Sequence, residues 1–354
     1  MMHKLFTPGP VPLPRHVTDA LAKDPLYHRS NEFKELSATL WSNLRTLFGN
    51  SARVVTLAGT GTTGLEACVA SSTRAGTRVA VLSNGRFGQR LAVINRLYGA
   101  EVHEYQIEWG KPLTSEHIDD VCSTFKDFDI FWCVHSETST GVCNPVREIT
   151  QRVRKNCPDA LIMVDVVTSL AVEELDVRSW DIDAAVAGIQ KGLMCPPGLA
   201  CVHISERFEE KLLAQPPCYT LNLRASIDAQ NTGIFPWTPP VTLVAALAAS
   251  AEHILRLGLP AVWHHHELLA RYTRAALEQR GFLMFGDASA NGVVVAQHPH
   301  ASEFCSRLRA TGFMVASGQE QLAGKVVRIG TCGSYTTAMI DELLHAIDAI
   351  ESTK

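Results

Sequence analysis

The chain has 354 residues, of which 19% are charged, and its formal net charge is −4 at pH 7. Without a net positive charge or a run of Lys and Arg, the composition argues against a nucleic-acid partner. The longest apolar stretch, 241–251, is too short to span a bilayer, and no cationic start followed by an apolar run suggests export, so we expect a cytoplasmic protein without a membrane partner.

Short apolar segments alternate with longer amphipathic ones through the first 240 residues or so. The predicted strands are 53–57, 78–82, 101–105, 130–135, 161–165, 184–187 and 200–204. The predicted helices among them include 31–48, 63–72, 88–98, 115–125 and 148–156. Such alternation predicts an α/β fold with a mostly parallel sheet, and ligands of these sheets bind outside the carboxyl ends of the strands.

The pattern changes after about residue 240, which predicts a second, smaller α+β domain. The predicted helices after this point are 241–257, 260–280, 301–311 and 337–352, and the predicted strands are 292–297 and 325–330. We therefore expect a large domain over 1–256, including the N-terminal segment, and a small domain over 257–354.

The ten cysteines and fourteen histidines show no metal-binding spacing, so no metal site is expected. His264, His265 and His266 are consecutive, and consecutive residues of a helix point in different directions. This trio is predicted to be solvated.

Lys191 lies in a glycine-flanked segment, Ala-Gly-Ile-Gln-Lys-Gly-Leu-Met-Cys-Pro-Pro-Gly at 187–198. It comes after the predicted strand that ends at Asp165. A lysine in a tight apolar turn, downstream of a buried aspartate, suits a pyridoxal-phosphate (PLP) enzyme. The lysine binds the cofactor aldehyde and the carboxylate keeps the pyridine nitrogen protonated. A solvated lysine in an ordinary turn is the alternative interpretation.

Three other segments have one functional and one structural interpretation each. The turn Gly59-Thr60-Gly61-Thr62 follows a strand and opens a helix, which favours a phosphate site or a helix cap. Phe87 follows the next predicted strand, where its ring stacks on a planar heterocycle or packs in the core. Arg328 lies within the apolar segment Val326-Val-Arg-Ile-Gly330, where a buried guanidinium requires a substrate carboxylate or an internal acid.

Taken together in chain order, these segments resemble the class V aminotransferases of PLP fold type I, nearest to the alanine/serine–glyoxylate enzymes. The segments are Thr7-Pro-Gly-Pro-Val-Pro12, His28-Arg-Ser-Asn-Glu-Phe33, Gly59-Thr-Gly61, Leu65-Glu-Ala67, Asn84-Gly-Arg-Phe-Gly-Gln89, Ser136-Glu-Thr-Ser-Thr-Gly141, Val164-Asp165, Gln190-Lys191 and Val327-Arg-Ile-Gly330.

The resemblance implies a seven-stranded sheet, a homodimer with shared active sites, and a role for each matching residue. Lys191 would carry PLP and transfer the proton between Cα and C4′, and Asp165 would pair with the pyridinium nitrogen. The remaining implied contacts are Thr138 to the ring hydroxyl, Phe87 and Val167 to the two ring faces, Thr60, Gly61, Thr62 and Gln190 to the phosphate, Thr238 of the partner subunit to the same phosphate, and Arg328 with the backbone at Gly9 to the substrate carboxylate.

The chain departs from the family pattern at two relevant positions. Phe87 stands where tryptophan or tyrosine is common, so stacking is retained and a polar group is lost. Phe235 stands where the glyoxylate enzymes carry a phosphate-binding tyrosine, so one phosphate hydrogen bond is expected to be missing.

The predicted reaction moves an amino group from a small amino acid, alanine- or serine-like, to a 2-oxo acid such as glyoxylate or pyruvate. A 2-aminoethylphosphonate–pyruvate-type transaminase is the close alternative, which residues 134–138 resemble. A cysteine desulfurase would need a mobile nucleophilic cysteine, for which Cys332 is the candidate. A dehydrogenase or a non-catalytic nucleotide-binding protein is disfavoured because the glycine-rich turn lacks the third glycine of the dinucleotide fingerprint.

Overall fold

The computed structural model describes residues 4–352 and contains the following elements. The strands are β1 (Lys4–Leu5), β2 (Arg53–Gly59), β3 (Arg78–Ser83), β4 (Glu101–Gln106), β5 (Ile130–Val134), β6 (Ser136–Glu137), β7 (Val142–Cys143), β8 (Leu161–Asp165), β9 (Ala184–Gly188), β10 (Gly198–Ile204), β11 (Leu283–Met284), β12 (Val293–Gln297), β13 (Phe313–Met314), β14 (Ala316–Ser317) and β15 (Val326–Gly330). The helices are α1 (Arg15–Leu21), α2 (Asn31–Leu47), α3 (Gly61–Ser72), α4 (Arg86–Leu97), α5 (Ser115–Thr124), α6 (Val146–Asn156), α7 (Glu206–Lys211), α8 (Leu223–Asn231), α9 (Val241–Leu257), α10 (Leu259–Glu278), α11 (Ala301–Ala310) and α12 (Thr337–Glu351).

The main sheet has seven strands in the order β2-β10-β9-β8-β5-β3-β4. Six strands run in one direction, and β10 is antiparallel to both of its neighbours. A parallel strand requires a crossover of a dozen or more residues, and the helix-free segment between β9 and β10 is too short for one. The mostly parallel seven-stranded sheet predicted from the sequence is confirmed.

The central strands consist almost entirely of apolar residues because helices cover both faces of the sheet, and Asp165 at the end of β8 is the exception within β5 and β8. Every residue of β5 and β8 is buried. Within β5, Phe131 and Cys133 join the core on one face, whereas Ile130, Trp132 and Val134 join the core on the other. The alternation of side chains along the strand therefore places a separate hydrophobic core on each side of the sheet.

A second sheet, in the order β11-β12-β15-β14, is antiparallel and lies in the C-terminal part of the chain. β1 pairs in parallel with β13, so the N-terminal segment contacts this part of the chain. The domain boundary at residues 256 and 257 stays a proposal. It falls at the end of α9, where the chain bends by 90° into α10.

The prediction that the histidine trio is solvated is wrong for His266. Only 2% of this residue is exposed, and its ring lies between Val262 O, 2.8 Å from Nδ1, and Gly333 N, which donates to Nε2 at 3.0 Å. Burial lowers the pKa of His266 to about 4. One of three consecutive residues on α10 points inward, as the helical period requires.

Within residues 4–352 we find no single helix that is both long and apolar enough to cross a membrane; α9 and α10 meet that test only as a bent pair.

Candidate active site

The predicted site residues meet at one edge of the main sheet. β2 is followed by Thr60, β3 by Phe87, β5 by Thr138 and β9 by Lys191, and β8 ends at Asp165. These five strands are parallel, so their carboxyl ends meet at the same edge, where doubly wound sheets bind ligands.

A cavity of about 140 Å³ lies at this edge. Nine of the predicted site residues line it, namely Thr60, Gly61, Thr62, Phe87, Thr138, Asp165, Val167, Gln190 and Lys191. The other three, Gly9, Arg328 and Thr238, are not among its lining residues.

The Lys191 side chain lies against the N-terminal segment. Its Nζ donates a hydrogen bond to the carbonyl oxygen of Pro8 at 2.6 Å. A Cβ added at Gly9 would lie 2.4 Å from Cδ and 2.7 Å from Nζ of Lys191, so a side chain there would displace the lysine. Burial lowers the pKa of the Lys191 ammonium, which favours the neutral amine that a nucleophile or general base requires.

Asp165 ends β8 and is only 4% exposed. Oδ1 accepts from the backbone N–H of Val167 at 2.8 Å, and Oδ2 accepts from an Arg90 guanidinium nitrogen at 3.3 Å. Burial raises the pKa of Asp165, and the charge on Arg90 opposes that rise. The carboxyl group is therefore buried and forms an ion pair with Arg90.

The N-terminus of α3 forms one wall of the cavity. Thr60 is its N-cap, and Gly61 and Thr62 are its first two residues. The first N–H groups of an α-helix have no partners within the helix, and together with the helix dipole they favour an anion. A Cβ on Gly61 would lie 2.4 Å from a methyl group of Val167, so only glycine allows this close approach.

Two buried oxygen atoms in the cavity wall have no hydrogen-bond partner among the described residues. They are Oγ of Ser136 and Oε1 of Gln190. Burying a polar group without a partner is unfavourable, so both atoms indicate that a polar ligand belongs here.

Arg328 projects from β15 and is 6% exposed. Within the described chain its guanidinium contacts two carbonyl oxygens, Ser317 O at 2.9 Å and Thr138 O at 3.2 Å, and forms no ion pair with an acidic side chain. Burial lowers the pKa of Arg328 to about 10. No acidic side chain of residues 4–352 forms an ion pair with Arg328, although the charge of the buried Glu137 favours its protonated form. The contact with Thr138 places the guanidinium beside a cavity-lining residue.

Thr238 is exposed and lies outside the cavity of its own chain. Phe235, three residues earlier, packs against the rings of Trp41 and Phe33 with centroid separations of 5.2 and 5.9 Å. Phe235 is therefore part of an aromatic cluster in this subunit. The proposed contribution of Thr238 to the partner subunit's site stays a prediction.

Four lining residues were not among the predicted site residues: Arg90, Val134, Ser136 and Thr168. Arg90 lies one helical turn after Phe87 in α4 and therefore shares its face, so the spacing of these two residues was the available signal. For Ser136 the available sequence signal was weaker: it is a polar residue directly after an apolar strand.

Cys332 does not have the properties of a mobile nucleophile. It is fully buried in the turn after β15, and burial raises the pKa of its thiol to about 11. Nucleophilic cysteines require an accessible thiolate. Among residues 4–352, no group of three or more His, Cys, Asp or Glu side chains is arranged to hold a metal ion.

The family is decided by a match of residues 9–343 to the model described as Aminotransferase class-V. The chain is a class V aminotransferase. The predicted transaminase activity and fold type I are thereby confirmed, and the dehydrogenase alternative is excluded. The family is PLP-dependent.

Three proteins illustrate what this class V aminotransferase is similar to. The protein named "Soluble hydrogenase, small subunit" from Synechococcus sp. is 33% identical, with 98% of this chain and 92% of that protein covered. The L-aspartate–glyoxylate aminotransferase of Paracoccus denitrificans is 30% identical, with 95% and 87% covered. The solved alanine–glyoxylate aminotransferase of Nostoc sp. is 27% identical, has a TM-score of 0.95, and is matched over 99% of this chain and 95% of its own.

Proposed function

We propose that this chain binds PLP at Lys191 and transfers an amino group from a small amino acid, alanine- or serine-like, to a 2-oxo acid such as glyoxylate or pyruvate. We further propose that it acts as a cytoplasmic homodimer with shared sites. The observation that carries the proposal is the convergence of Lys191, Asp165 and the α3 N-terminus on one cavity. The Arg328 guanidinium, which has no ion-pair partner among residues 4–352, lies beside it.

The residues in the cavity fit PLP. Thr60, Gly61, Thr62 and Gln190 would hold the phosphate, with Thr238 of the partner subunit. Phe87 and Val167 would cover the two ring faces, and Thr138 would bond the ring hydroxyl. The unpaired oxygens of Ser136 and Gln190 line the same space.

PLP, when bound, supplies an electron sink for the pair left at the substrate Cα. Asp165 would hold the proton on the ring nitrogen, because an ionised carboxylate favours the protonated form of a neighbouring base. Lys191, with its lowered pKa, would take the proton from the substrate Cα and deliver it to C4′ of the cofactor. Arg328 would orient the substrate by binding its carboxylate at two points. Similar proteins named for alanine–glyoxylate and aspartate–glyoxylate transamination support this substrate class.

A panel of half-reactions tests the substrate proposal. Alanine, serine, aspartate and 2-aminoethylphosphonate are added singly to the PLP form, and conversion to the amine form is followed by absorbance. Glyoxylate or pyruvate is then added to reverse it. We expect alanine or serine to react and a 2-oxo acid to restore the PLP form. Reaction with the phosphonate alone would establish the alternative, and failure of every amino acid would refute the proposal.

Arg328→Lys is expected to raise KM for amino and 2-oxo acids on the order of 10²-fold, because an ammonium cannot reproduce the planar two-point match. PLP affinity should change little. Steady-state kinetics and a PLP titration give both values, and Arg309→Lys, at an exposed position of α11, is the control. An unchanged KM in a folded, PLP-binding variant would show that Arg328 does not bind the carboxylate.

Hybrid dimers test whether the sites are shared. Lys191→Ala inactivates the site that holds its own lysine, and Thr238→Asp should repel the phosphate of the neighbouring site. If sites are shared, a dimer of one subunit of each kind contains one intact site, so mixing after dissociation should restore activity that neither variant has. An active monomer in sedimentation at micromolar concentration would contradict the dimer.

A further inference from the structure

Arg90 contacts three of the residues assigned to the cofactor. One guanidinium nitrogen donates to Oδ2 of Asp165 at 3.3 Å, and another donates to Oγ1 of Thr62 at 3.0 Å. The guanidinium carbon lies 4.8 Å from the centroid of the Phe87 ring. The side chain therefore connects residues from three elements: α3, the start of α4 and the end of β8.

The start of α4 is held in place independently of Arg90. Oε2 of the buried Glu137 accepts from the backbone N–H groups of Phe87 and Gly88, both at 3.0 Å. A Cβ on Gly85, the N-cap, would lie 2.4 Å from that side chain, so the approach is close. With the helix start fixed, Phe87 and Arg90 project from neighbouring positions, three residues apart.

The electrostatics of Asp165 give this arrangement its importance. A carboxyl group can stabilise a protonated ring nitrogen only when it is ionised, and burial disfavours the ionised form. Arg90 is the one cationic group in ion-pair contact with Asp165 among the described residues, with 29% of the arginine side chain and 4% of the aspartate side chain exposed. Three other groups interact electrostatically with Asp165. The charge of Lys191 lowers the pKa of Asp165, and the charge of Asp165 raises the pKa values of Glu137 and Cys133.

We propose that Arg90 is a positioning residue that keeps the Asp165 carboxylate ionised and aligned for the cofactor ring, and at the same time orients the Thr62 hydroxyl toward the phosphate. This inference rests on the proposed function. A planar guanidinium suits the task because two of its nitrogens serve two partners while its face lies on an aromatic ring.

The test measures PLP binding to the apoenzyme by quenching of tryptophan fluorescence, at several pH values. Arg90→Gln should raise the PLP dissociation constant on the order of tenfold, the effect of losing a charge-assisted hydrogen bond. The ratio of variant to wild-type constants should fall as the pH rises, because Asp165 then ionises without its partner. Arg90→Lys should recover part of the affinity, since it keeps the charge.

Arg96→Gln is the matched control. It lies in the same helix and pairs with Glu104 at 3.1 Å, with 48% of its side chain exposed. We expect wild-type PLP affinity for it. Thermal melts of the apoproteins check that each variant folds.

A wild-type dissociation constant for Arg90→Gln, with an unchanged pH profile, would overturn the inference. So would a loss that Arg90→Lys does not reduce or that Arg96→Gln reproduces. Failure of the wild-type protein to bind PLP at all would instead refute the proposed function, so the two failures are distinguishable.

Discussion

Lys191→Ala is expected to abolish transamination while the protein still folds and binds PLP without a covalent bond. The lysine supplies both the amine that attaches the cofactor and the group that transfers the Cα proton. Its side chain lies against Gly9, and its Nζ donates a hydrogen bond to the carbonyl oxygen of Pro8. Steady-state turnover, a PLP titration and a thermal melt measure the three properties.

The control for this variant is Lys34→Ala, which removes an exposed lysine of α2 and should leave turnover unchanged. Residual transamination by Lys191→Ala at a rate near that of the wild type would show that another group performs both tasks.

Asp165→Asn is expected to leave PLP bound and to lower the rate by several orders of magnitude. The amide is neutral, so it cannot keep the pyridine nitrogen protonated, and an unprotonated ring accepts electrons poorly. An amide NH₂ group in place of Oδ2 could not accept the hydrogen bond from Arg90, because both groups are donors. The donor half-reaction, followed by absorbance in a single turnover, isolates the affected step from product release.

Asp287→Asn is the control for Asp165→Asn, because Asp287 is an exposed acid paired with Lys111. It should react at the wild-type rate. Near-normal activity of Asp165→Asn would mean that Asp165 is not the partner of the ring.

Most of the α/β core could be predicted because its signals are local. Strand Leu161–Asp165 and helix Val241–Leu257 begin and end where the apolar pattern predicts. Lys191 was predicted because it lies in a turn flanked by glycines, which permit tight backbone conformations. Asp165 was predicted because a carboxylate at the end of an apolar strand is costly to bury without a partner. The roles of these residues came from the family resemblance.

Other features depend on contacts between distant segments and carry little local signal. The pairing of Lys4–Leu5 with Phe313–Met314 joins opposite ends of the chain, and two-residue strands show no alternation. Arg90 resembles any arginine on a helix until the fold places it against Asp165 and Thr62. Helical phase predicts different directions for the three histidines, but which of them faces the core depends on how α10 packs, so the sequence did not indicate the inward position of His266.

Borohydride reduction of the PLP-loaded protein, followed by peptide mapping, tests the central claim most directly. Reduction makes the attachment permanent, and mass spectrometry then locates it. The proposed function predicts one pyridoxyl group for each chain, on the peptide that contains Lys191 in the connection between β9 and β10. A label on any other lysine, or none in a protein that transaminates, would contradict it.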